Sequence, residues 1–299
     1  MYWNSLSTFL KKEYGGKVYK LSLSSGCSCP NRDGTLDTRG CVFCDGSGAF
    51  AAQGDLPAQL TAAMARVAAK AGPSPRYIAY FQSFTNTYAP VDLLRTMYTA
   101  AMAPPEIVAL SIATRPDCLP PEVLALLAEL NRVKPVWVEL GLQTIHPKTA
   151  AYLRRGYELP VYETAVRDLK AAGITVVVHQ ILGLPGESRE MMAETARFIG
   201  RSGADGIKFH LLHVLRGTDL ALDWSAGRFE TMTQEAYIAA LEACLQNIPR
   251  EMVVHRLTGD GAKRDLLSPA WSGDKKRVLN AIHASLKQHD VEQGSALGL

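Results

Sequence analysis

The sequence predicts an α/β fold, a partial (β/α)6 TIM-like barrel of parallel strands with a C-terminal extension of helix and strand. Three observations carry this. β-rich apolar runs alternate with segments whose apolar residues recur at helical spacing, the strand-then-helix unit occurs six times, and helix start and stop signals such as Pro120-Pro121 and Ala172-Gly173 punctuate the alternation. Repeated units of this kind build a parallel sheet with right-handed crossovers, closed or partly closed into a barrel.

In order, the strands read as Val18–Ser24, Arg76–Phe81, Ile107–Ala113, Pro135–Leu140, Ile174–Leu182 and Gly206–Leu212. The helices between them read as Leu56–Ala71, Val91–Met102, Pro120–Asn131, Pro160–Ala172 and Ser188–Ser202. Beyond about Trp224 the pattern changes to a helix over Gln234–Gln246, a short strand Met252–Leu257, a Gly-rich turn Gly259–Gly261, a last helix near Lys275–Lys287, and a tail Glu292–Leu299 expected to fray. The expected division is a barrel over residues 1–223, including the N-terminal segment, and an extension over 224–299 as a substrate-binding region.

At 299 residues, 47% hydrophobic and 20% charged, the chain can bury a substantial core, which excludes a disordered or collagen-like protein. A net charge of +3 leans only mildly toward polyanions, although basic residues cluster at Lys11/Lys12, Arg154/Arg155, Lys263/Arg264 and Lys275/Lys276/Arg277. Such clusters serve either as phosphate contacts or as solvated helix faces. No segment approaches the ~20 apolar residues of a membrane span, and the N-terminus lacks a secretory pattern. The expectation is a cytoplasmic protein with no membrane partner. Reducing conditions then leave metal binding or reactivity as the reason for clustered cysteines, and four of the six lie between positions 27 and 44.

In a barrel of this type function collects at the C-terminal ends of the strands. After the first strand come Cys27-Ser28-Cys29-Pro30-Asn31-Arg32-Asp33-Gly34 and Gly40-Cys41-Val42-Phe43-Cys44. A close Cys-x-x-Cys pair with a third cysteine in a Gly-rich loop can wrap three thiolates around one soft metal centre. Structural zinc would take four protein ligands, with Cys27 or a distant histidine as the fourth. An iron–sulfur cluster held by three thiolates leaves one iron open to an outside ligand. A thioredoxin-like pair at Cys41/Cys44 is a weaker fit, because no compact redox domain surrounds it.

This stretch resembles the radical S-adenosylmethionine superfamily. Eleven residues separate Cys29 from Cys41, a longer loop than the commonest in the superfamily, but Cys-Pro-Asn-Arg-Asp-Gly followed by Gly-Cys-x-Phe-Cys is similar to the YhcC/YtqA-like branch, related to the radical domain of the Elongator catalytic subunit. The resemblance implies Cys29, Cys41 and Cys44 as ligands of a 4Fe-4S cluster, with S-adenosylmethionine as second cofactor, cleaved by one electron to methionine and a 5′-deoxyadenosyl radical. It also implies a one-electron reductant such as flavodoxin or ferredoxin.

The other strand ends supply candidate cofactor contacts. Gln82, Ser83 and Thr85 lie in a hydroxyl- and amide-rich segment that takes the place of the family's loop for the methionine amino group; a polar loop tip is the plain alternative. Thr114-Arg115 offers an arginine for the methionine carboxylate. Glu139 interrupts an apolar strand and needs a partner, either a ribose hydroxyl, a nearby arginine or a structural ion pair. Gln143 resembles the matching glutamine of coproporphyrinogen oxidases and Elongator-type enzymes. His179 and Gln180 precede a Gly183-Leu184-Pro185-Gly186 turn that lets backbone approach the cofactor, and His210 and Leu212 border the adenine by resemblance, with Phe43 beside it. Taken singly, either histidine fits a core role equally.

The resemblance further suggests tRNA as substrate, modified at a carbon substituent of the wobble uridine, such as a carboxymethylaminomethyl group. The basic stretch from His255-Arg256 through Lys263-Arg264 to Lys275–Arg277 offers a surface for the anticodon arm. The Elongator acetyltransferase domain has no counterpart in the pattern, so acetyl transfer is not implied. The alternatives are a radical enzyme for a small molecule, like the coproporphyrinogen oxidases, and a zinc or iron–sulfur module that only docks on RNA.

Overall fold

Strands buried on both faces need apolar residues at nearly every position, and the sequence places such runs where the sheet forms. In the computed structural model, which describes residues 2–46, 54–259, 261 and 263–298, the elements follow in this order. They are α1 (Leu6–Tyr14), β1 (Val18–Leu23), α2 (Leu56–Ala71), β2 (Arg76–Phe81), α3 (Val91–Met102), β3 (Ile107–Thr114), α4 (Pro121–Asn131) and β4 (Val136–Gln143). Then come α5 (Pro147–Tyr152), α6 (Leu159–Ala171), β5 (Thr175–Leu182), α7 (Arg189–Arg201), β6 (Gly206–Leu211), β7 (Val214–Leu215) and α8 (Asp219–Ser225). The chain continues through α9 (Gln234–Gln246), β8 (Val253–Arg256), β9 (Leu266–Ser268) and α10 (Lys275–Gln288).

One sheet runs β1-β2-β3-β4-β5-β6-β8, every pair parallel, and curls into a half-barrel. It has seven strands rather than six. The added strand is the segment read as Met252–Leu257, which pairs Val253 with Gly206 because α9 packs against α7 and completes another crossover. At four residues it is too short for periodicity to reveal the pairing. Asp260, within the Gly259–Gly261 turn, lies outside the described residues.

The inner face of the sheet is layered along the barrel axis. At the bottom Ile78, Ala109 and Trp137 form an apolar floor, and α1 covers it with Leu6, Phe9 and Leu10. The Phe9 ring meets Trp137 edge-on at 6.3 Å. Helix α1 starts at Ser5, whose hydroxyl accepts from Thr8 N, and Val254 N donates to Asn4 O at 2.8 Å, which ties the N-terminus to β8.

Above the floor lies a charged layer around Glu139, whose side chain is fully buried. Its Oε1 accepts from Lys20 Nζ at 2.6 Å and from Ser111 Oγ at 2.8 Å. Its Oε2 accepts from Lys208 Nζ at 2.6 Å and from His179 Nε2 at 2.7 Å. Lys208 also donates to Tyr80 Oη at 3.0 Å. Burial alone would raise the Glu139 carboxyl, but Lys20 and Lys208 outweigh it and hold the group well below the usual range. Burial, with Lys208 adjacent, pushes His179 down to about 4, so the ring is neutral at pH 7 and donates its Nε2 proton. Burial likewise draws Lys208 down to about 8, against the pull of Glu139.

The tail does not fray within the described residues. Gln293 is buried: its Oε1 accepts from Asn4 N at 2.8 Å and its Nε2 donates to Pro249 O at 2.5 Å and Met252 O at 2.8 Å. One amide side chain thus joins the two ends of the chain to the start of β8.

Replacing Gln293 with alanine strands these backbone groups, so urea unfolding should show a loss of about 1–3 kcal/mol. A tail without packing would leave the midpoint where it was. Glu139→Ala leaves two buried ammonium groups without their carboxylate and should cost about 3–5 kcal/mol. The unfolded chain protonates its histidine near 6.5 while folded His179 resists down to about 4. Stability should therefore fall as pH drops through that window, and His179→Gln should flatten the fall; equal slopes in the two proteins would refute the assignment.

Candidate active site

The loop after β1 turns tightly on itself before α2. Arg32 N donates to Cys29 O at 2.7 Å, Gly40 N to Asn31 O at 2.7 Å, and Cys44 N to Cys41 O at 3.0 Å. Gly40 has φ +77°, and a Cβ there would lie 2.8 Å from Arg32 Nε. Arg32 crosses the loop to donate to Cys44 O at 2.6 Å. Asn31, also buried, donates to Arg154 O at 2.6 Å and points the same amide at Cys41 Sγ, 3.5 Å away.

These turns bring Cys29, Cys41 and Cys44 to one cavity of about 190 Å³, shared with Phe43, Thr85, Thr114, Arg115, Glu139, Gln143 and His179. Cys27 goes elsewhere. It packs in the main core beneath the helices, where burial pushes its thiol up against the opposing hydrogen bond from Ser25. The turn thus directs Cys29 to the cavity and Cys27 to the core.

All three cavity cysteines are free thiols. Burial, with Cys44 nearby, pushes Cys41 up to about 11, so a thiolate forms there only when a metal centre displaces the proton. The donor set fits an iron–sulfur cluster on one wall with a polar mouth facing it. Thr85 Oγ1 is buried in that mouth without a partner among the described residues, as an expected ligand contact would be.

The remaining predicted positions divide. Thr114 Oγ1 shares a hydrogen bond with Thr87 Oγ1 at 2.6 Å. Gln143 closes β4 with φ +66°, and its side-chain amide lies over Gly141, where a Cβ would stand 2.7 Å from Nε2. His210 lies against His179 with ring centroids 5.0 Å apart and the rings tilted by 40°, and its Nε2 is buried without a partner among the described residues. Phe43 and Leu212 belong to one apolar cluster with Val42, Ile181 and Leu184, next to the cysteines.

The other candidates have partners of their own. Arg115 is gripped by Asp117 through two bonds, at 2.9 and 2.7 Å, and its guanidinium lies over Tyr157. Gln180 points away from the barrel interior and donates to Met192 O on α7 at 2.7 Å. Gln82 reaches Ser22 Oγ at 3.1 Å and Ser83 presents its carbonyl to Asn86, so neither is among the cavity-lining residues. Gly183, at φ +85°, makes room for Met232, whose Sδ would be 3.0 Å from a Cβ. Lys20, Lys208, Arg32 and Arg155 were missed. A lysine inside a strand reads as a surface residue, and the available signal was that Lys20 and Lys208 sit at the same kind of inward position as Glu139.

Residues 38–199 match the Radical SAM superfamily and residues 204–288 match the Radical_SAM C-terminal domain. The chain is 44% identical to the uncharacterized protein YtqA of Bacillus subtilis over 98% of its length and 92% of that protein. It is 38% identical to protein YhcC of Escherichia coli over 97% of its length and 93% of that protein. A tRNA uridine(34) acetyltransferase of Methanocaldococcus jannaschii is 28% identical over 51% of this chain and 28% of its own. Among solved structures, an N-terminally truncated Elp3 of Methanocaldococcus infernus superposes with a TM-score of 0.69 at 18% identity, over 92% of this chain and 64% of that one, which bears on the fold alone. Cysteine loop, half-barrel and family matches agree: this chain belongs to the radical SAM superfamily, in its YtqA/YhcC branch.

Proposed function

We propose that the protein modifies tRNA, at a carbon substituent of the wobble uridine such as a carboxymethylaminomethyl group, by radical chemistry at the mouth of the barrel. The observation that carries the chemistry is the convergence of Cys29, Cys41 and Cys44 on one cavity at the C-terminal end of the sheet. These three would hold a 4Fe-4S cluster, and Thr85, Thr114, Gln143 and Phe43 would line the place of S-adenosylmethionine. Bound together and given one electron from a reductant such as flavodoxin or ferredoxin, the two cofactors supply a 5′-deoxyadenosyl radical.

The chain's own residues shape what happens around them. Val42, Leu153, Leu184 and Leu212 keep water from the cysteine side, and α1 seals the far end of the barrel. Arg115 brings positive charge close to Cys41, partly opposing the burial that raises its thiol. Support for tRNA comes from the likeness to a protein named for tRNA uridine 34, and from exposed basic side chains at Lys263, Arg264, Lys276 and Arg277. The extension over 224–299 would then present the anticodon arm to the mouth, in the cytoplasm where tRNA is found. Among the described residues no helix is long and apolar enough to cross a membrane.

Anaerobic reconstitution should load about four iron and four sulfide per chain. Cys29→Ser, Cys41→Ser and Cys44→Ser should each lose most of that iron, whereas Cys27→Ser should keep it; full loading of any of the first three would overturn the ligand set. Nucleoside analysis of tRNA incubated with the reduced holoenzyme and S-adenosylmethionine should show an altered wobble uridine, and unaltered nucleosides beside active 5′-deoxyadenosine production would exclude tRNA as the substrate.

A further inference from the structure

Asn31 lies two positions after Cys29 and is 1% exposed. Its backbone is fixed from both sides: its carbonyl accepts from Gly40 N at 2.7 Å, and the preceding Pro30 carbonyl accepts from Leu36 N at 2.8 Å. The side-chain amide then has one orientation. Its Nδ2 faces the Arg154 carbonyl at 2.6 Å, where an amide oxygen would meet a second acceptor, so the nitrogen belongs there. Nδ2 carries two protons. One serves Arg154 O, and the other is available to Cys41 Sγ, 3.5 Å away. Sγ lies 3.9 Å from the same carbonyl, so sulfur, amide and carbonyl share one corner of the loop.

Both flanks of the amide are held by the turn that follows α5. Arg154 takes φ +56°, its N–H donates to Ala151 O at 3.0 Å, and its guanidinium pairs with Asp219 on α8, which fixes the accepting carbonyl. Gly156, at φ +80°, leaves the space that the other end of the amide occupies: a Cβ there would stand 2.8 Å from Asn31 Oδ1. The bond to Arg154 O ties the cysteine loop to the end of α5, which is a structural role. The bond to sulfur adds nothing to that tie, and at this depth water does not compete for it. Its use lies with the sulfur itself.

We propose that Asn31 is a positioning residue for the iron–sulfur cluster, whose side-chain N–H bonds the Cys41 sulfur and raises the potential at which the cluster accepts its electron. The inference rests on the reading of Cys41 as a cluster ligand. A sulfur bound to iron has given up its proton and can only accept. The electron delivered by the reductant increases the negative charge shared by the cluster and its sulfurs, so the same N–H bond is stronger after reduction than before. The reduced form is thereby favoured. Leucine at position 31 would fill similar space and donate nothing, and aspartate would set a second anion against the sulfur.

The test uses reconstituted holoprotein without S-adenosylmethionine or RNA, titrated with dithionite and followed by the electron paramagnetic resonance of the reduced cluster. Wild-type protein whose asparagines are isotopically labelled in the side-chain nitrogen should show a hyperfine coupling to that nitrogen, and Asn31→Leu should lose it. At a given potential, Asn31→Leu should lower the ratio of reduced to oxidised cluster about tenfold, which is about 59 mV for a one-electron couple. Gly156→Ala keeps the asparagine but sets a methyl group against Oδ1, and should lower the ratio in the same direction. Iron and sulfide content shows that each variant still holds its cluster. Absence of the coupling from wild-type spectra would overturn the bond whatever the variants do, and an unchanged midpoint in iron-loaded Asn31→Leu would overturn its effect on the potential. Where Asn31→Leu loads no iron, the midpoint of Gly156→Ala decides in the same sense. Wild-type protein that assembles no iron–sulfur cluster would overturn the cluster reading, and this assignment with it.

Discussion

Glu139 accepts hydrogen bonds from Lys20 on β1, Ser111 on β3, His179 on β5 and Lys208 on β6, and Lys208 passes the linkage to Tyr80 on β2. Six adjacent strands are therefore joined through one carboxylate on their inner face. An open parallel sheet can twist and curl to different degrees, and its helices bury the outer face whatever the curl. The inward bonds remove that freedom: their short distances require β1 and β6 to approach the same point on β4 from opposite sides. The half-barrel shape follows, and with it the place where the strand ends converge.

That constraint also separates two environments along the axis. Below the charged layer, Ile78, Ala109, Trp137 and α1 exclude water, so the ions above them interact in a medium of low dielectric. Above it, the cavity is bounded by the three cysteines and by backbone turned back at Gln143. Arg155 secures that turn by donating to the carbonyls of Leu142, Thr144 and Tyr157, with its guanidinium 4.5 Å from the Tyr157 ring centre. The walls of the mouth are thus held by backbone carbonyls whose hydrogen bonds are already made.

How much of this was legible in the sequence depended on whether the decisive contacts are local. Strands and helices followed from periodicity, and the start of α4 and the end of α6 from Pro120-Pro121 and Ala172-Gly173, because apolar repeats and such signals are properties of short stretches. Helix α1 escaped notice: it is nine residues long, and its apolar face only makes sense against a floor built from β2, β3 and β4. Glu139 stood out as a charge in an apolar run, yet Lys20, 119 positions away, could not be joined to it without the fold. Arg115 lines the cavity but is already paired. A partner two residues along the chain, Asp117, was in plain view, but a free arginine was the natural reading of a strand end. The direction of Gln180 turned on the parity of β5, which a run of apolar residues on both faces does not disclose.

Net charge conceals how the ionised groups are distributed between surface and interior. A net charge of +3 is small for 299 residues, and most acidic and basic groups cancel on the surface. Inside, the charges meet at short range: Lys20 and Lys208 close on Glu139 in the barrel, and Arg115 pairs with Asp117 beside the cysteines. Surface charges are screened within about a Debye length, near 8 Å at physiological salt, whereas these buried cations act at close range in low dielectric. A few buried ions therefore have more influence on the shape of the barrel than a larger number spread over the exterior, because Lys20 and Lys208 hold the carboxylate that sets the curl of the sheet.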